Sequence, residues 1–371
     1  MTDIEHPLIF TGNFKSYFKL CCENGLLLLI SVGLLLPWTL LRKKRYFYQH
    51  TQLAGSHFSF TAKPKSMFIG VFSAMILWFS LQHFFELMAE DDSMVKSVIM
   101  AFVFFNILLV PIFAFFVNQA LLFRRFHSNF RGIRFGFKKD YAEAFICCAG
   151  VFIFSPLTLF AAYPYFKWRF AKFIYNRSDF GGLRFRFTGD LKTLYAIYLK
   201  CYGLIIVSAI LILPVFLMYF WIIWFGDSDP DKTQPFWMTQ FETYFLPHFS
   251  GAPSAISSFA GIVLLFFITL PYLKVQTTNW TWNALKIGDL RAYSFASTRR
   301  LIGLSSVNFF MVIFSLGLLA PLAKIRTQQF WTENKSFAGD LNGLLIKAQQ
   351  HQDTHAMGDA LSDLSGIDMG V

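Results

Sequence analysis

Long apolar runs alternate along this chain with short segments of period two. The run at 201–225, CYGLIIVSAILILPVFLMYFWIIWF, contains no charged residue. Some 18 or more such residues predict a membrane-spanning helix. With its polar edge this run covers 198–225, and further runs lie at 67–85, 95–117 and 253–275. Three others carry Pro37, Pro164 and Pro321, the middle one covering about 142–166. The period-two segments are different. In LRFRF, Phe185 and Phe187 fall on one face and Arg184 and Arg186 on the other, which predicts a strand. Five such segments occur, at 8–11, 57–61, 133–137, 183–188 and 292–296. Together these patterns predict an α-helical polytopic membrane protein with about seven hydrophobic helical segments. Short F-x-F β-strands would form small sheets on its cytoplasmic face, with phenylalanines inward and Arg/Lys outward. The alternative for those segments is extended interfacial loops.

The pattern repeats. Measured from Phe10, Phe137 and Phe295, prolines follow 27, 27 and 26 residues later at Pro37, Pro164 and Pro321. Arginines stand five beyond each, at Arg42, Arg169 and Arg326, and glycines 18 beyond, at Gly55, Gly182 and Gly339. Asn24 and Asn308 precede their prolines by 13, and Gly33 and Gly317 by four, whereas the middle copy has Val151 and Phe160 there. Three agreeing spacings mark an internal duplication. The order reads A-B-A-B-A within a single repeat-built membrane domain, 1–344: A1 8–60, B1 61–137, A2 138–187, B2 188–295 and A3 296–344. A polar, acidic tail follows at 345–371. Glycine-led aromatic phrases close several units: Gly55 before Phe58 and Phe60, Gly132 before Phe135 and Phe137, Gly182 before Phe185 and Phe187. The three glycines are expected to need positive φ or a close backbone approach.

Charge between the runs bears on topology. Residues 42–66 carry six basic and no acidic residues, 118–140 six and one, 167–192 seven and two, and 274–300 five and one. Residues 86–93 carry four acidic residues and 226–252 four acidic and one basic. Lys and Arg favour the cytoplasmic side, so the B units read as pairs of full spans. The A runs have basic flanks at both ends. They are read as re-entrant elements that break near Gly33/Pro37 and return, giving four full spans and three re-entrant elements; the alternative is seven plain crossings. Both termini then lie in the cytoplasm of a bacterial inner membrane. Asn24, Gly33, Asn308 and Gly317 are the candidate cavity or turn residues.

Composition narrows the function classes. Of 371 residues, 55% are hydrophobic, 48 are phenylalanine and 15% are charged, with mean hydropathy +0.47. A soluble globular domain averages about 25% charged residues. The net charge of +11 sits beside apolar runs, which suits anionic lipid better than nucleic acid. The N-terminus is acidic and lacks a cleavable signal pattern. Five cysteines and eight histidines show no metal-ligand spacing, and no phosphate-binding loop or nucleophile motif occurs. His351 and His355 are spaced i,i+4 in the tail. Glu86 stands near His83, and Glu23 and Glu143 lie near the starts of A1 and A2. Ionisable groups are nearly absent from mid-span positions; Asn106 is the main polar group there, and Lys200 sits at a span end, so a proton-coupled pump is disfavoured. No catalytic, cofactor or metal residue is assigned.

The opening L-x-F-T-G, the stretch from Asn24 to Pro37 ending in PW, the following RxxRYFY, and Thr51, Leu53, Gly55, Phe58 and Phe60 resemble the YjgN-like bacterial inner-membrane family. The resemblance extends to about residue 344. That family has a domain of unknown function, so the resemblance implies an inner-membrane location and no activity. Three functions remain open: transport or permeation of a small or lipid-like molecule, a scaffold or sensor that binds anionic lipid or a partner through its basic cytoplasmic face, and a membrane enzyme. A continuous polar cavity favours the first, a packed interior with a basic, aromatic face the second.

Overall fold

The computed structural model describes residues 5–64, 76, 79–80, 83, 95–225 and 252–352. Strand β1 (Glu5–Phe10) leads into helices α1 (Phe14–Ile30) and α2 (Leu36–Gln49), then β2 (Thr51–Leu53) and β3 (Ser56–Phe60). Helix α3 (Val95–Phe126) precedes β4 (Ser128–Phe130) and β5 (Ile133–Phe137). Helix α4 (Tyr141–Ala149) continues through a π-helical turn, Gly150–Phe154, and is followed by α5 (Tyr163–Asn176), β6 (Ser178–Phe180) and β7 (Leu183–Phe187). Next come α6 (Leu191–Phe225), α7 (Ala252–Val263), α8 (Leu270–Asn283), β8 (Leu285–Ile287) and β9 (Leu290–Ser294). Helices α9 (Thr298–Phe314) and α10 (Ala320–Glu333) precede β10 (Lys335–Ala338), and residues 341–352 form a last helix, α11.

All ten strands form one closed antiparallel barrel in which each pairs with its chain neighbours, and β1 pairs with β10 to shut the ring. Register sets one face inward: Phe58 opposite Phe130, Phe135 opposite Phe180, Phe185 opposite Ile287. The rings touch, with centroids 4.7 Å apart for Phe58–Phe130 and 4.8 Å for Phe135–Phe180. Arg134, Arg184 and Arg186 have the opposite parity and face outward, exposed. At one end the strands turn tightly. Ala54–Gly55, Arg131–Gly132 and Gly181–Gly182 all have positive φ, the signature of two-residue turns whose twist matches the strands. This explains the recurring glycine. At the other end the chain leaves each strand pair for helices.

The expectation of an α-helical polytopic protein with about seven hydrophobic helical segments is overturned. The chain builds a closed ten-strand barrel, and among the described residues two helices are long and apolar enough to cross a membrane, Leu191–Pro214 and Ile256–Asn283. The small separate sheets are corrected too, because every strand joins the same ring. Run length overstates the A runs. Each is cut into a helical hairpin by two successive left-handed residues, Val32–Gly33, Leu159–Phe160 and Leu316–Gly317. The arrangement of four spans and three re-entrant elements is not found. The first B1 run, most of 67–85, and both acidic loops, 86–93 and 226–251, lie outside the described residues.

Contacts divide the chain into two units. The first holds the barrel and most of the helical hairpins. In it, Pro37, Pro164 and Pro321 occupy the first turn of α2, α5 and α10, where a missing N–H costs nothing. Arg42 Nη2 lies 2.5 Å from Glu23 Oε2, and its Nη1 donates to Asn24 Oδ1 at 3.2 Å. Arg169 grips Glu143 with two hydrogen bonds, 2.6 and 2.9 Å. In the first two copies the repeated arginine thus clamps the second helix of the hairpin to the first. The second unit is Lys192–Thr278 with Ala296–Phe310. There α6 and α7 approach closely at Gly261, whose missing Cβ would lie 2.8 Å from the Ser208 carbonyl, and the Phe267 and Phe309 rings meet at 5.1 Å.

Candidate functional site

The turn end of the barrel is shut. Helix α11 lies across it, with Leu341, Leu344, Leu345 and Ala348 packed on the inward-facing Leu8, Leu53, Phe130, Ile133, Phe180, Ile287 and Leu290. The helix comes so near the β6–β7 turn that a Cβ on Gly181 would lie 2.7 Å from the Ala348 carbonyl. At the helix end, inward phenylalanines pack on the helices: Phe10 with Tyr17 and Tyr46, Phe60 with Leu41, Phe137 with Ala144 and Phe173. Side chains thus pack against the barrel at both ends.

Three cations sit among those rings. Lys44 Nζ lies 4.1 Å from the Phe60 centroid, Arg125 lies 5.9 Å from the Tyr175 and Phe185 rings, and Lys335 Nζ lies 4.3 Å from the Trp282 ring. Burial lowers the pKa of the Lys44 and Lys335 ammonium groups to about 8, because desolvation disfavours the charged form. The Arg125 Nε is buried without a hydrogen-bond partner. Aromatic faces stabilise these charges, and Arg125 is also attracted by the Asp179 carboxylate.

The outer wall carries a cavity of about 650 Å³ beside β5, β6 and β7. Four cations line it: Arg134, Lys138, Arg177 and Arg184. Arg177 is committed to an ion pair with Asp140. Arg134, Lys138 and Arg184 make no ion pair among the described residues. Asp179 is the one carboxylate in the wall, and its Oδ2 accepts the Gly182 N–H at 3.3 Å. Phe126, half exposed, stands at the edge with the Arg134 guanidinium 5.5 Å from its ring. Register places Arg134 opposite Asn129 and Arg184 opposite Asp179, all on the outward face of adjacent strands. Among the described residues no group of three His, Cys, Asp or Glu is arranged to hold a metal ion.

A family model described as "Bacterial protein of unknown function (DUF898)" matches residues 5–364. The chain belongs to this family. Curated relatives share the name "Inner membrane protein YjgN". The one from Salmonella typhimurium is 22% identical over 91% of this chain and 90% of its own length. The one from Escherichia coli K12 is 26% identical over 132 residues, 36% of this chain and 31% of that protein. Against the Escherichia coli relative the matched part spans about a third of that protein's length. No solved structure matches the chain. By this kinship the chain is a membrane protein of the bacterial inner membrane, and its activity is not given by the family.

Within this family member, the residues singled out by the sequence fall into three places. Gly55, Gly132 and Gly182 are in the barrel turns at φ +73°, +81° and +86°. Phe58, Phe60, Phe135, Phe137, Phe185 and Phe187 line the inward face. Pro37, Pro164, Arg42, Arg169 and Asn24 hold the helical hairpins, with Pro321 and Arg326 at the same places on α10. Gly33 and Gly317 are at hairpin tips, where an added Cβ would meet nothing within 4 Å, and Asn308 is buried on α9. The groove on the outer wall draws together residues from 126 to 352 and follows from no single motif. Its one legible sign is the outward arginine of each period-two segment. The start of the polar tail expected from 345 is helical, since α11 extends to 352, and the rest of it lies outside the described residues. Leucines at 341, 344 and 345 with Ala348 follow helical spacing, which is the signal the sequence offers there.

Proposed function

We propose that the protein is a non-transporting inner-membrane module that holds anionic lipid at its basic, aromatic helix level and presents the barrel on the cytoplasmic side. The observation that carries this reading is the side-chain packing at both ends of the barrel beside a basic wall. Two further features support the membrane placement. The hairpin tips are apolar and open, with Val32 91%, Leu159 89% and Leu316 94% exposed, a surface of the kind that marks a membrane contact. The candidate spans Leu191–Pro214 and Ile256–Asn283 connect β7 to β8, which are paired neighbours. A chain that leaves one strand and returns to the next must come back to the same side, so these two helices make one excursion across the bilayer. The basic flanks favour the cytoplasm as that side.

Lys43, Lys172 and Lys324 stand on α2, α5 and α10, the helices that follow the hairpin tips. A lysine near an anionic surface contributes about 1 kcal/mol. Neutralising all three (Lys43→Gln, Lys172→Gln, Lys324→Gln) is expected to lower partition of anionic phospholipid to the purified protein at least about tenfold. Phospholipid retained after exchange into neutral detergent, resolved by headgroup, measures this. An unchanged headgroup composition, or enrichment of zwitterionic lipid in the parent protein, contradicts the reading.

A further inference from the structure

We infer that the outer-wall groove between β5 and β7 is a binding site for a phosphate-bearing anion with an apolar portion. The site is distinct from the helix-level lipid contacts proposed above and does not rest on them. Arg134, Lys138 and Arg184 converge on one cavity from β5, the segment after it and β7, and none makes an ion pair within salt-bridge distance among the described residues, with Asp179 opposite Arg184 the carboxylate in the same wall. Such groups on a barrel wall repel one another, and a structural role would pair them, as Arg177 is paired with Asp140. The volume of about 650 Å³ falls within the roughly 300–1,000 Å³ of small-molecule sites. Two guanidiniums offer forked donors suited to phosphate oxygens, and the ammonium adds a point charge.

The floor is occupied by the Asp179 carboxylate, seated beside a small residue. A Cβ on Gly136 would lie 2.2 Å from the Asp179 carboxylate, so glycine lets that carboxylate lie against the strand. There Asp179 accepts the Gly182 N–H and holds the β6–β7 turn, which lines the same cavity. Phe126 gives the rim an exposed apolar face. The anion would therefore meet three cations along the wall and rest its uncharged part on the Phe126 ring. Both a soluble phosphorylated solute and a lipid headgroup carry this chemistry.

The test uses the full chain in neutral detergent with inorganic pyrophosphate as the soluble probe, and in nanodiscs containing phosphatidate or only phosphatidylcholine as the lipid probe. Arg134→Gln with Arg184→Gln is expected to weaken binding about tenfold or more for each arginine removed, the scale of a charge-assisted hydrogen bond. Asp179→Asn keeps an acceptor for the Gly182 N–H and removes the negative charge, so it is expected to tighten binding several-fold, a gain that a misfolded variant cannot mimic. Arg291→Gln, on β9 away from the groove, is expected to change nothing. A response of the pyrophosphate arm alone identifies a solute site, and of the phosphatidate arm alone a headgroup site; both uphold the inference. No binding of either probe, or binding unchanged in the double variant, overturns it.

Discussion

Leu344→Asp is expected to release helix α11 from the mouth of the barrel and to lower the stability of the purified protein severely. Leu344 is buried among inward-facing barrel residues and lies 3.6 Å from where a Cβ on Gly288 would stand. Removing a buried leucine costs about 2–5 kcal/mol. A carboxylate left in the same apolar site adds several kcal/mol more. Their sum rivals the roughly 5–15 kcal/mol that holds a typical domain together, so the helix leaves before the carboxylate is buried. Amide exchange should accelerate across 341–348, and the melting temperature in detergent should fall. Leu344→Met conserves volume and should cost less than about 1.5 kcal/mol. Equal behaviour of the two variants would mean that α11 does not seal the barrel.

The second large effect is expected at Gly150. Here α4 passes so close to α5 that an added Cβ would lie 1.9 Å from the Phe166 ring. No rotamer of a substituted side chain relieves a clash at Cβ itself. Gly150→Val must therefore spread the hairpin, at a cost of about 3 kcal/mol or more. It also strains the Arg169–Glu143 clamp across the same pair of helices. Gly33→Ala is the informative contrast. That glycine has positive φ but open space around it, so only left-handed strain of about 1–2 kcal/mol applies. Thermal unfolding in detergent should rank Gly150→Val well below Gly33→Ala, and Phe166→Leu should recover part of the loss. Equal melting temperatures for the two glycine variants would show that α4 and α5 are not packed this closely.

The parts of this fold that are local can be read in the sequence. Strands β3, β5 and β7 have five residues each, and alternation in SHFSF, IRFGF and LRFRF is readable at that length. Their partners β2, β4 and β6 have three residues each, too few to show a period. Closure depends on Glu5–Pro7 meeting Ser336–Ala338, a pairing across the length of the chain that no local pattern records. Ring closure is therefore hidden even where individual strands are legible.

The hairpin breaks are half legible. Gly33 and Gly317 stand out, but each shares its turn with an aliphatic residue, Val32 or Leu316, at positive φ, and neither residue type signals a left-handed backbone. In the middle copy Phe160 takes the place of glycine at φ +64°, so the turn survives the loss of the residue that marks it. The groove is illegible for a different reason. Arg134, Lys138 and Arg184 read as separate outward charges until β5, β6 and β7 bring them to one wall. What the sequence does carry is the parity of the two arginines, and that parity puts them outside the barrel.

Closure of the ten-strand barrel can be probed with cysteine pairs. In a background free of the five native cysteines, one pair replaces Arg186 and Lys286, which are opposite each other on β7 and β8. A second replaces Glu5 and Ala338, opposite each other on β1 and β10. Residues directly opposite in an antiparallel pair have Cα atoms about 4.5–5.5 Å apart, within reach of a disulfide. Mild oxidation in the membrane should link both pairs, while cysteines at Glu5 and Arg291, two strands apart, should stay unlinked. Linkage of Arg186→Cys to Lys286→Cys without linkage of Glu5→Cys to Ala338→Cys would mean an open sheet, and failure of both pairs would contradict the barrel itself.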